Sequence, residues 1–87
     1  MEIRYSKDSQ KVLKGMNPQL KARIRVAINK LTLSPPEGDI KPMKGTIYEG
    51  CYRVRVGQYR IIYRYDVENT IEILYIIKIG PRGDIYK

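Results

Sequence analysis

The stretch CYRVRVGQYRIIYRY, residues 51–65, carries the strongest fold signal in the chain. On both sides of Gly57-Gln58, apolar or aromatic residues alternate with arginine, as expected of strands that each bury one face. A two-residue connection that contains glycine is typical of a β-hairpin, because glycine accepts the positive φ that tight hairpin turns need. The sequence therefore predicts an antiparallel hairpin with strands at residues 52–56 and 59–65.

A two-residue turn also fixes which residues of the hairpin face each other. Three pairs meet on one side of the ribbon, which is the predicted core face: Val56 with Tyr59, Val54 with Ile61, and Tyr52 with Tyr63. On the opposite side Arg55 lies directly across from Arg60. Arg53 and Arg64 project from that same side, with Ile62 between them. The register thus predicts four guanidinium groups in one patch.

These arginines are costly choices for a sequence selected only to fold. A pair of like charges facing each other across strands costs about 0.2–1 kcal/mol, and no acidic residue occurs between Cys51 and Tyr65 to offset it. One interpretation is an anion site, since arginine binds phosphate oxygens in a bidentate manner and remains charged at any working pH. The alternative is a solvated sheet face, made basic for solubility or to protect an exposed edge. The unrelieved pairing of Arg55 with Arg60 favours the anion site.

The residues before the hairpin predict one strand, two helices and a loop. Residues 2–5 alternate polar and apolar, which indicates a short strand. Ser6 is the expected cap of a first helix, and Asn17-Pro18 is expected to start a second. Each helix has a stripe of apolar residues at helical spacing: Val12, Leu13 and Met16 in the first, and Leu20, Ile24, Ala27, Ile28 and Leu31 in the second. The segment SPPEGDIKPMKG, residues 34–45, holds three prolines and two glycines and is predicted to be a loop.

After the hairpin, residues 70–79 predict a third strand of the sheet, preceded by a turn at residues 67–69. Residues 71–79, IEILYIIKI, are apolar at nearly every position, which indicates a central strand covered on both faces. The predicted fold class is α+β: a strand, a two-helix hairpin and then three antiparallel strands. With 87 residues, the chain is expected to form a single domain over residues 1–87.

Composition restricts the chemistry. The chain has no histidine and only one cysteine, Cys51, so it offers neither a zinc-ligand set nor an internal disulfide, and we expect no bound metal. Without histidine, acid-base chemistry must come from lysine, tyrosine, arginine or carboxylates. A net charge of +8 favours a polyanionic or acidic protein partner. No apolar run predicts a membrane span or a secretory signal, so we expect a soluble cytoplasmic protein.

All eight aromatic residues are tyrosine, and one of them differs from the rest in its setting. The tyrosines of the hairpin core face are expected to pack. Tyr86 instead lies in a polar tail close to Arg82. A tyrosine near the end of a chain commonly frays, but one that stacks on an exposed base beside a phosphate-binding arginine has the same sequence pattern.

The order of the predicted elements and two motifs resemble the RelE/ParE superfamily of type II toxins. The motifs are the hairpin CYRVRVGQYRIIYRY and the tail IIKIGPRGDIYK, residues 76–87, with its arginine and near-terminal tyrosine. The resemblance covers essentially the whole chain and looks closest to the RelE branch, whose members have a small ribonuclease fold of this kind. RelE toxins cut messenger RNA in the A site of the ribosome and are held inactive by a cognate antitoxin.

The resemblance implies a metal-independent endoribonuclease in which the ribose 2′-hydroxyl attacks the adjacent phosphate. It implies three partners: messenger RNA, the 30S A site, and an acidic, amphipathic antitoxin that forms a heteromeric complex with the toxin. The residues it assigns to catalysis are Arg53, Arg55, Arg60, Arg82 and Tyr86. The residues it assigns to RNA binding are Lys41, Lys44, Arg64 and Lys87. Within the first set, Arg60 and Arg82 would hold the phosphate, Tyr86 would stack on or orient the nucleotide, and the other two would add positive field.

The sequence departs from the RelE pattern at Arg53 and Arg55, where these toxins commonly carry lysine. An arginine, with a pKa above roughly 12, is a poor general base at neutral pH. Either the base is another group, such as Tyr86 or an element of the ribosome, or these positions act purely electrostatically. Two alternatives share the fold or the basic face: a ParE-like inhibitor of DNA gyrase, and an RNA-binding module without catalysis.

Overall fold

The chain folds as one five-stranded sheet with two helices on one face, in a computed structural model that describes residues 1–81. The elements are β1 (Glu2–Tyr5), α1 (Lys7–Lys14), α2 (Pro18–Lys30), β2 (Asp39–Pro42), β3 (Tyr52–Val56), β4 (Tyr59–Glu68) and β5 (Ile71–Pro81). The strand order is β1-β5-β4-β3-β2, with only the β1 and β5 pair parallel. The predicted α+β class is confirmed, and one strand is added to it.

Both helices begin where the sequence predicts. The Ser6 side chain accepts a hydrogen bond from the backbone N–H of Ser9 at 3.0 Å, and Asn17 accepts one from Leu20 at 2.8 Å. Such caps satisfy N–H groups that have no partner within the helix. The buried residues of the predicted apolar stripes are Leu13, Ile24, Ile28 and Leu31. Within residues 1–81, neither helix is long and apolar enough to cross a membrane.

The register of the hairpin is the predicted one. Its pairs are Tyr52 with Tyr63, Arg53 with Ile62, Val54 with Ile61, Arg55 with Arg60, and Val56 with Tyr59. Gly57 has a φ of 58°, in the left-handed region that tight hairpin turns use. A Cβ atom at this position would lie only 3.2 Å from Nη2 of Arg23, so close packing also favours glycine here. With this register, the predicted core face of the hairpin lies against the helices.

Two predictions about strand positions are wrong. Residues 34–45 are not entirely a loop, because β2 pairs with β3, for example Ile40 with Val54. Proline does not prevent this, since β2 is an edge strand and Pro42 is its last residue. The turn between β4 and β5 is Asn69-Thr70, with φ of 50° and 68°, rather than residues 67–69. Consequently β4 continues to Glu68.

The strand β5 is interior to the sheet but is not its middle strand, which is β4. Toward the helices, Leu74, Ile76 and Ile79 belong to the main core. On the opposite face, Ile77 packs against a smaller cluster, here called the second core, which consists of Met43, Cys51 and Ile62. The sequence prediction of cover on both faces is therefore confirmed, and part of that cover comes from residues that precede β3.

Three tyrosines form a packed group at the helix-covered face. The ring centroids of Tyr63 and Tyr52 lie 5.8 Å apart, and those of Tyr63 and Tyr65 lie 5.7 Å apart. The Tyr65 hydroxyl donates a hydrogen bond to the backbone oxygen of Leu31 at 2.7 Å. Burial raises the pKa of Tyr63 well above its usual value, and repulsion from Tyr65 and Tyr52 adds to the effect. Tyr63 therefore stabilises the fold in its neutral form.

Replacing Tyr63 with phenylalanine should flatten the loss of stability at alkaline pH. Because the pKa of Tyr63 is raised by folding, the unfolded chain releases this proton first, at pH above about 10. The contribution is complete below that pH and is lost as pH rises through the folded-state pKa. Urea unfolding across this range should show a shallower fall for Tyr63→Phe than for the wild type. Identical slopes would contradict the assignment.

Candidate nucleic-acid interface

Three arginines gather near the hairpin turn on the face opposite the helices, here called the arginine face. Arg55 pairs with Arg60, and Arg53 pairs with Ile62, two residues further along β4. This register makes Arg53 a diagonal neighbour of Arg60, and diagonal neighbours lie about 7–8 Å apart. Long side chains span that distance, so the three guanidinium groups can bind a single anion.

Atoms of two of these arginines are buried. Nη1 of Arg53 is buried and has no hydrogen-bond acceptor among residues 1–81, and Nε of Arg60 is buried as well. A buried donor left without an acceptor costs about 1–3 kcal/mol, and more when it carries charge. A phosphate oxygen would supply the acceptor that Arg53 lacks.

Within residues 1–81, no carboxylate forms an ion pair with Arg53 or Arg55. Asp39 of the edge strand β2 lies opposite Arg55 in register, yet no ion pair joins them. The next residue of β2 on this face is Lys41, which faces Arg53 and adds positive charge. The arginine face near the turn is therefore a region of positive potential suited to a phosphate group.

Arg64 shares the arginine face but lies apart from the cluster. It is four residues from Arg60 along β4, a distance of about 13–14 Å. Its guanidinium carbon lies 4.8 Å from the ring centroid of Tyr75. Tyr75 accepts a hydrogen bond from Arg4 at 3.0 Å and donates one to Glu68 at 3.2 Å. The predicted patch of four guanidinium groups is thus a cluster of three and a separate, partly neutralised group around Tyr75.

The remaining predicted residues differ in position. Lys41 is exposed beside the cluster, and Lys44 is exposed next to Met43 of the second core. The predicted roles of Arg82, Tyr86 and Lys87 fall on residues outside the described part of the chain. The description ends at Pro81, which pairs with Tyr59 at the end of the hairpin.

Sequence reasoning missed Lys78, which also belongs to the arginine face. It pairs with Ile62, whose other neighbour across the sheet is Arg53. One signal in the sequence could have drawn attention to it, because Lys78 is the only charged residue in the run from 73 to 79. In the structure, the core residues Ile76 and Ile79 are three positions apart instead of two. Such a break in alternation indicates a β-bulge.

Fold and site together define a small, basic α+β domain whose sheet presents a cationic face. A family model described as the ParE toxin of the type II toxin-antitoxin system, parDE, matches residues 3–86. The chain therefore belongs to this family, within the ParE/RelE superfamily, and is a toxin of a type II toxin-antitoxin system. No curated protein matches the chain.

Solved structures confirm the fold. The chain is similar to the archaeal RelE-RelB complex from Pyrococcus horikoshii, with 28% identity, a TM-score of 0.69, and coverage of 95% of this chain and 96% of that chain. It is also similar to the RelB-RelE antitoxin-toxin complex from Methanococcus jannaschii, with 30% identity, a TM-score of 0.64, and coverage of 94% and 93%. A YoeB/ParE toxin from Agrobacterium tumefaciens, at 17% identity and a TM-score of 0.76, shares the fold over 94% of this chain and 99% of its own.

Replacing Arg55 with glutamine should stabilise the fold and weaken anion binding at the same time. Removal of the repulsion with Arg60 should raise the free energy of unfolding by about 0.2–1 kcal/mol. The affinity for a single-stranded RNA oligonucleotide should fall, and its dependence on salt should drop by about 0.7 in log-log slope. Thermal unfolding and fluorescence anisotropy measure the two effects.

The matched control for this experiment is Arg25→Gln, which removes the same charge from the exposed surface of α2. This control should change the free energy of unfolding and the salt slope much less than Arg55→Gln does. Equal losses of RNA affinity in the two variants would mean that overall charge, and not the arginine cluster, determines binding.

Proposed function

We propose that this toxin is a ribosome-dependent, metal-independent endoribonuclease that cleaves messenger RNA in the 30S A site and so arrests translation in the cytoplasm. The observation that carries the proposal is the cluster on the arginine face. There Arg55 and Arg60 are held opposite each other by the hairpin register, and Arg53 offers a buried N–H group without an acceptor among residues 1–81. Both features destabilise the fold when no ligand is bound, so their presence favours a ligand-binding role.

The chemistry this cluster suits is attack of the ribose 2′-oxygen on the adjacent phosphorus. The new bond forms a 2′,3′-cyclic phosphate, and the bond from phosphorus to the 5′-oxygen breaks. Negative charge accumulates on the non-bridging oxygens in the transition state, where fixed guanidinium donors stabilise it most. Arg53, Arg55 and Arg60 supply such donors from two adjacent strands.

Proton transfer belongs to other groups in this proposal. An arginine remains protonated at neutral pH, so the cluster acts through charge and hydrogen bonds. Tyr86 or an element of the ribosome takes the proton of the 2′-hydroxyl, and water or an element of the ribosome donates a proton to the departing 5′-oxygen. Tyr86 also stacks on or orients the nucleotide. Arg82 shares the phosphate with Arg60. It directly follows Pro81, and the pairing of Pro81 with Tyr59 ends β5 beside the hairpin.

Other cations would bind the RNA backbone on either side of the scissile phosphate. In this proposal they are Lys41, Lys44, Arg64 and Lys87. Arg64 suits a more distant nucleotide, because it is exposed and lies about 13–14 Å along β4 from Arg60. A guanidinium group already stacked on Tyr75 presents a flat surface that bases also stack on.

The proposal includes a cognate antitoxin, acidic and amphipathic. The solved relatives from Pyrococcus horikoshii and Methanococcus jannaschii are complexes of RelE with RelB. On this chain, a groove of about 440 Å³ runs between α2 and β3, with an apolar floor that includes Val26 and Val54. Arg23 and Lys30 line the groove as well. A helix with an apolar stripe flanked by carboxylates complements such a surface.

Inhibition of DNA gyrase is the second candidate function, because the matching family model is that of the ParE toxin. Two assays separate the candidates. Expression of a messenger-cleaving toxin produces new 5′ ends on translated messages, whereas a gyrase inhibitor blocks supercoiling by the purified enzyme and leaves messages intact. A protein that binds RNA without cutting it gives neither result.

Arg60→Ala and Arg82→Ala should each abolish growth arrest and the new 5′ ends on translated messages. Removal of one fixed donor for transition-state charge is expected to lower the cleavage rate by about 10²–10³-fold. Circular dichroism and thermal unfolding verify that the variants fold, and Arg25→Ala serves as the surface control. Full growth arrest by both variants would refute the assignment of these arginines.

A further inference from the structure

We propose that Lys78 is a further phosphate-binding residue of the arginine face, placed there by a bulge in β5. The inference rests on the proposed function for its ligand, a phosphate of the RNA backbone, and extends the site to a third strand. Three observations carry it: the register of β5 against β4, the hydrogen bonds that hold the bulge, and the position of Lys78 relative to Arg60.

The bulge determines which face Lys78 occupies. Ile62 pairs with Lys78, whereas the next residue of β4 pairs with Ile76, so Ile77 is the extra residue. In a regular strand, residues two apart share a face, and Lys78 would join Ile76 under the helices. The bulge instead returns Ile79 to the main core, where it is 2% exposed, and leaves Lys78 beside Ile62 on the arginine face.

Hydroxyl groups at the start of α1 hold this bulge. The Ser6 hydroxyl donates to the backbone oxygen of Ile77 at 2.7 Å, and the Ser9 hydroxyl donates to that of Ile76 at 3.3 Å. The backbone N–H of Ser6 also donates to Ile76, at 3.0 Å. Ser9 is completely buried although it is polar. The Ser6 hydroxyl supplies the partner of the carbonyl of Ile77, the extra residue, whereas the Ser9 hydroxyl adds a second bond to the Ile76 carbonyl, which already accepts the Ser6 N–H. The irregularity is therefore a built feature of the fold.

The bulge brings Lys78 within reach of the phosphate proposed for the arginine cluster. Arg60 pairs with Gly80, so Lys78 is its diagonal neighbour on β5, about 7–8 Å away. Arg53 is the diagonal neighbour of Arg60 on the other side, on β3. Gly80 contributes no side chain between Lys78 and Arg60. An ammonium group with three rotatable donors adapts to the oxygen that the planar guanidinium groups leave free.

A merely structural role for Lys78 is the competing explanation. The residue is half-buried beside the second core, and lysine stems often pack on apolar surface while the ammonium reaches solvent. Lys78→Met separates the two roles, because methionine retains an apolar stem and removes the charge. Lys78→Arg retains the charge, and Lys11→Met removes an exposed lysine from α1 as a matched control.

Two measurements test the proposal. In a translation reaction with purified ribosomes, Lys78→Met should cleave messenger RNA about tenfold or more slowly than the wild type, the loss expected for one charge-assisted hydrogen bond. Lys78→Arg should regain most of the rate, and Lys11→Met should match the wild type. For a 2′-deoxy oligonucleotide, which cannot be cleaved by 2′-oxygen attack, Lys78→Met should lower the salt slope of binding by about 0.7.

The outcomes distinguish this inference from the proposed function. If the wild type cleaves and Lys78→Met cleaves equally fast, the inference is overturned and the nuclease assignment stands. If the wild type does not cleave, the nuclease assignment fails, and the salt slope alone decides on Lys78. A lower melting temperature of Lys78→Met with an unchanged salt slope would show that the residue only packs, and would overturn the inference.

Ser9→Ala tests the part played by the bulge. Loss of the hydroxyl should slow cleavage by the protein that carries Lys78 and have much less effect in the Lys78→Met background, because the positioning matters only when the charge is present. Coupling of this kind is expected of residues that act through one another. Equal effects of Ser9→Ala in both backgrounds would contradict a positioning role.

Discussion

The two-residue turn at Gly57 is the constraint on which the site depends, because it fixes the register of β3 against β4. A shift of one residue would exchange the two faces of a strand, moving Val54 outward and Arg55 beneath the helices. The burial of Val54, Ile61 and Tyr63 prevents this shift, since all three belong to the main core. Apolar packing on one face therefore holds the arginines together on the other, against their own repulsion.

A second register device, the bulge in β5, acts on the same face from the other side of β4. The turn delivers cations from β3 and β4, and the bulge adds Lys78 from β5. Between them lies Ile62, completely buried by the second core. This small core lies on the same face as the cationic side chains, where atoms of Arg53 and Arg60 are buried. Charged side chains that lie against packed neighbours reorganise less when a phosphate binds.

The parts of the fold that the sequence predicted are those set by neighbours along the chain. The caps at Ser6 and Asn17 and the hairpin turn depend on residues within three or four positions. The edge strand β2 was missed because the prolines and glycines of residues 34–45 suggest a loop, whereas its pairing with β3 is a tertiary contact. The β4–β5 turn was misplaced because threonine, here Thr70, is an unusual residue at positive φ.

The same reason explains what was missed in the site. Alternation on β4 correctly put Arg64 on the arginine face, but its stacking on Tyr75 depends on a partner from β5. Lys78 was missed because the bulge is held by Ser6 and Ser9, which are 71 and 67 residues away from the carbonyl groups they bind. Apart from the lone charge of Lys78 in its apolar run, no local pattern indicates a bulge that depends on such distant hydrogen bonds.

An NMR titration that follows the arginine Nε–H signals tests whether the hairpin arginines form one phosphate site. The ligand is a short 2′-deoxy oligonucleotide, which resists cleavage by 2′-oxygen attack. The signals of Arg53, Arg55 and Arg60 should shift together and saturate at one ligand concentration, while that of Arg25 on α2 stays in place. Independent titration of the three arginines, or a larger shift at Arg25, would show that the hairpin arginines do not form one phosphate site.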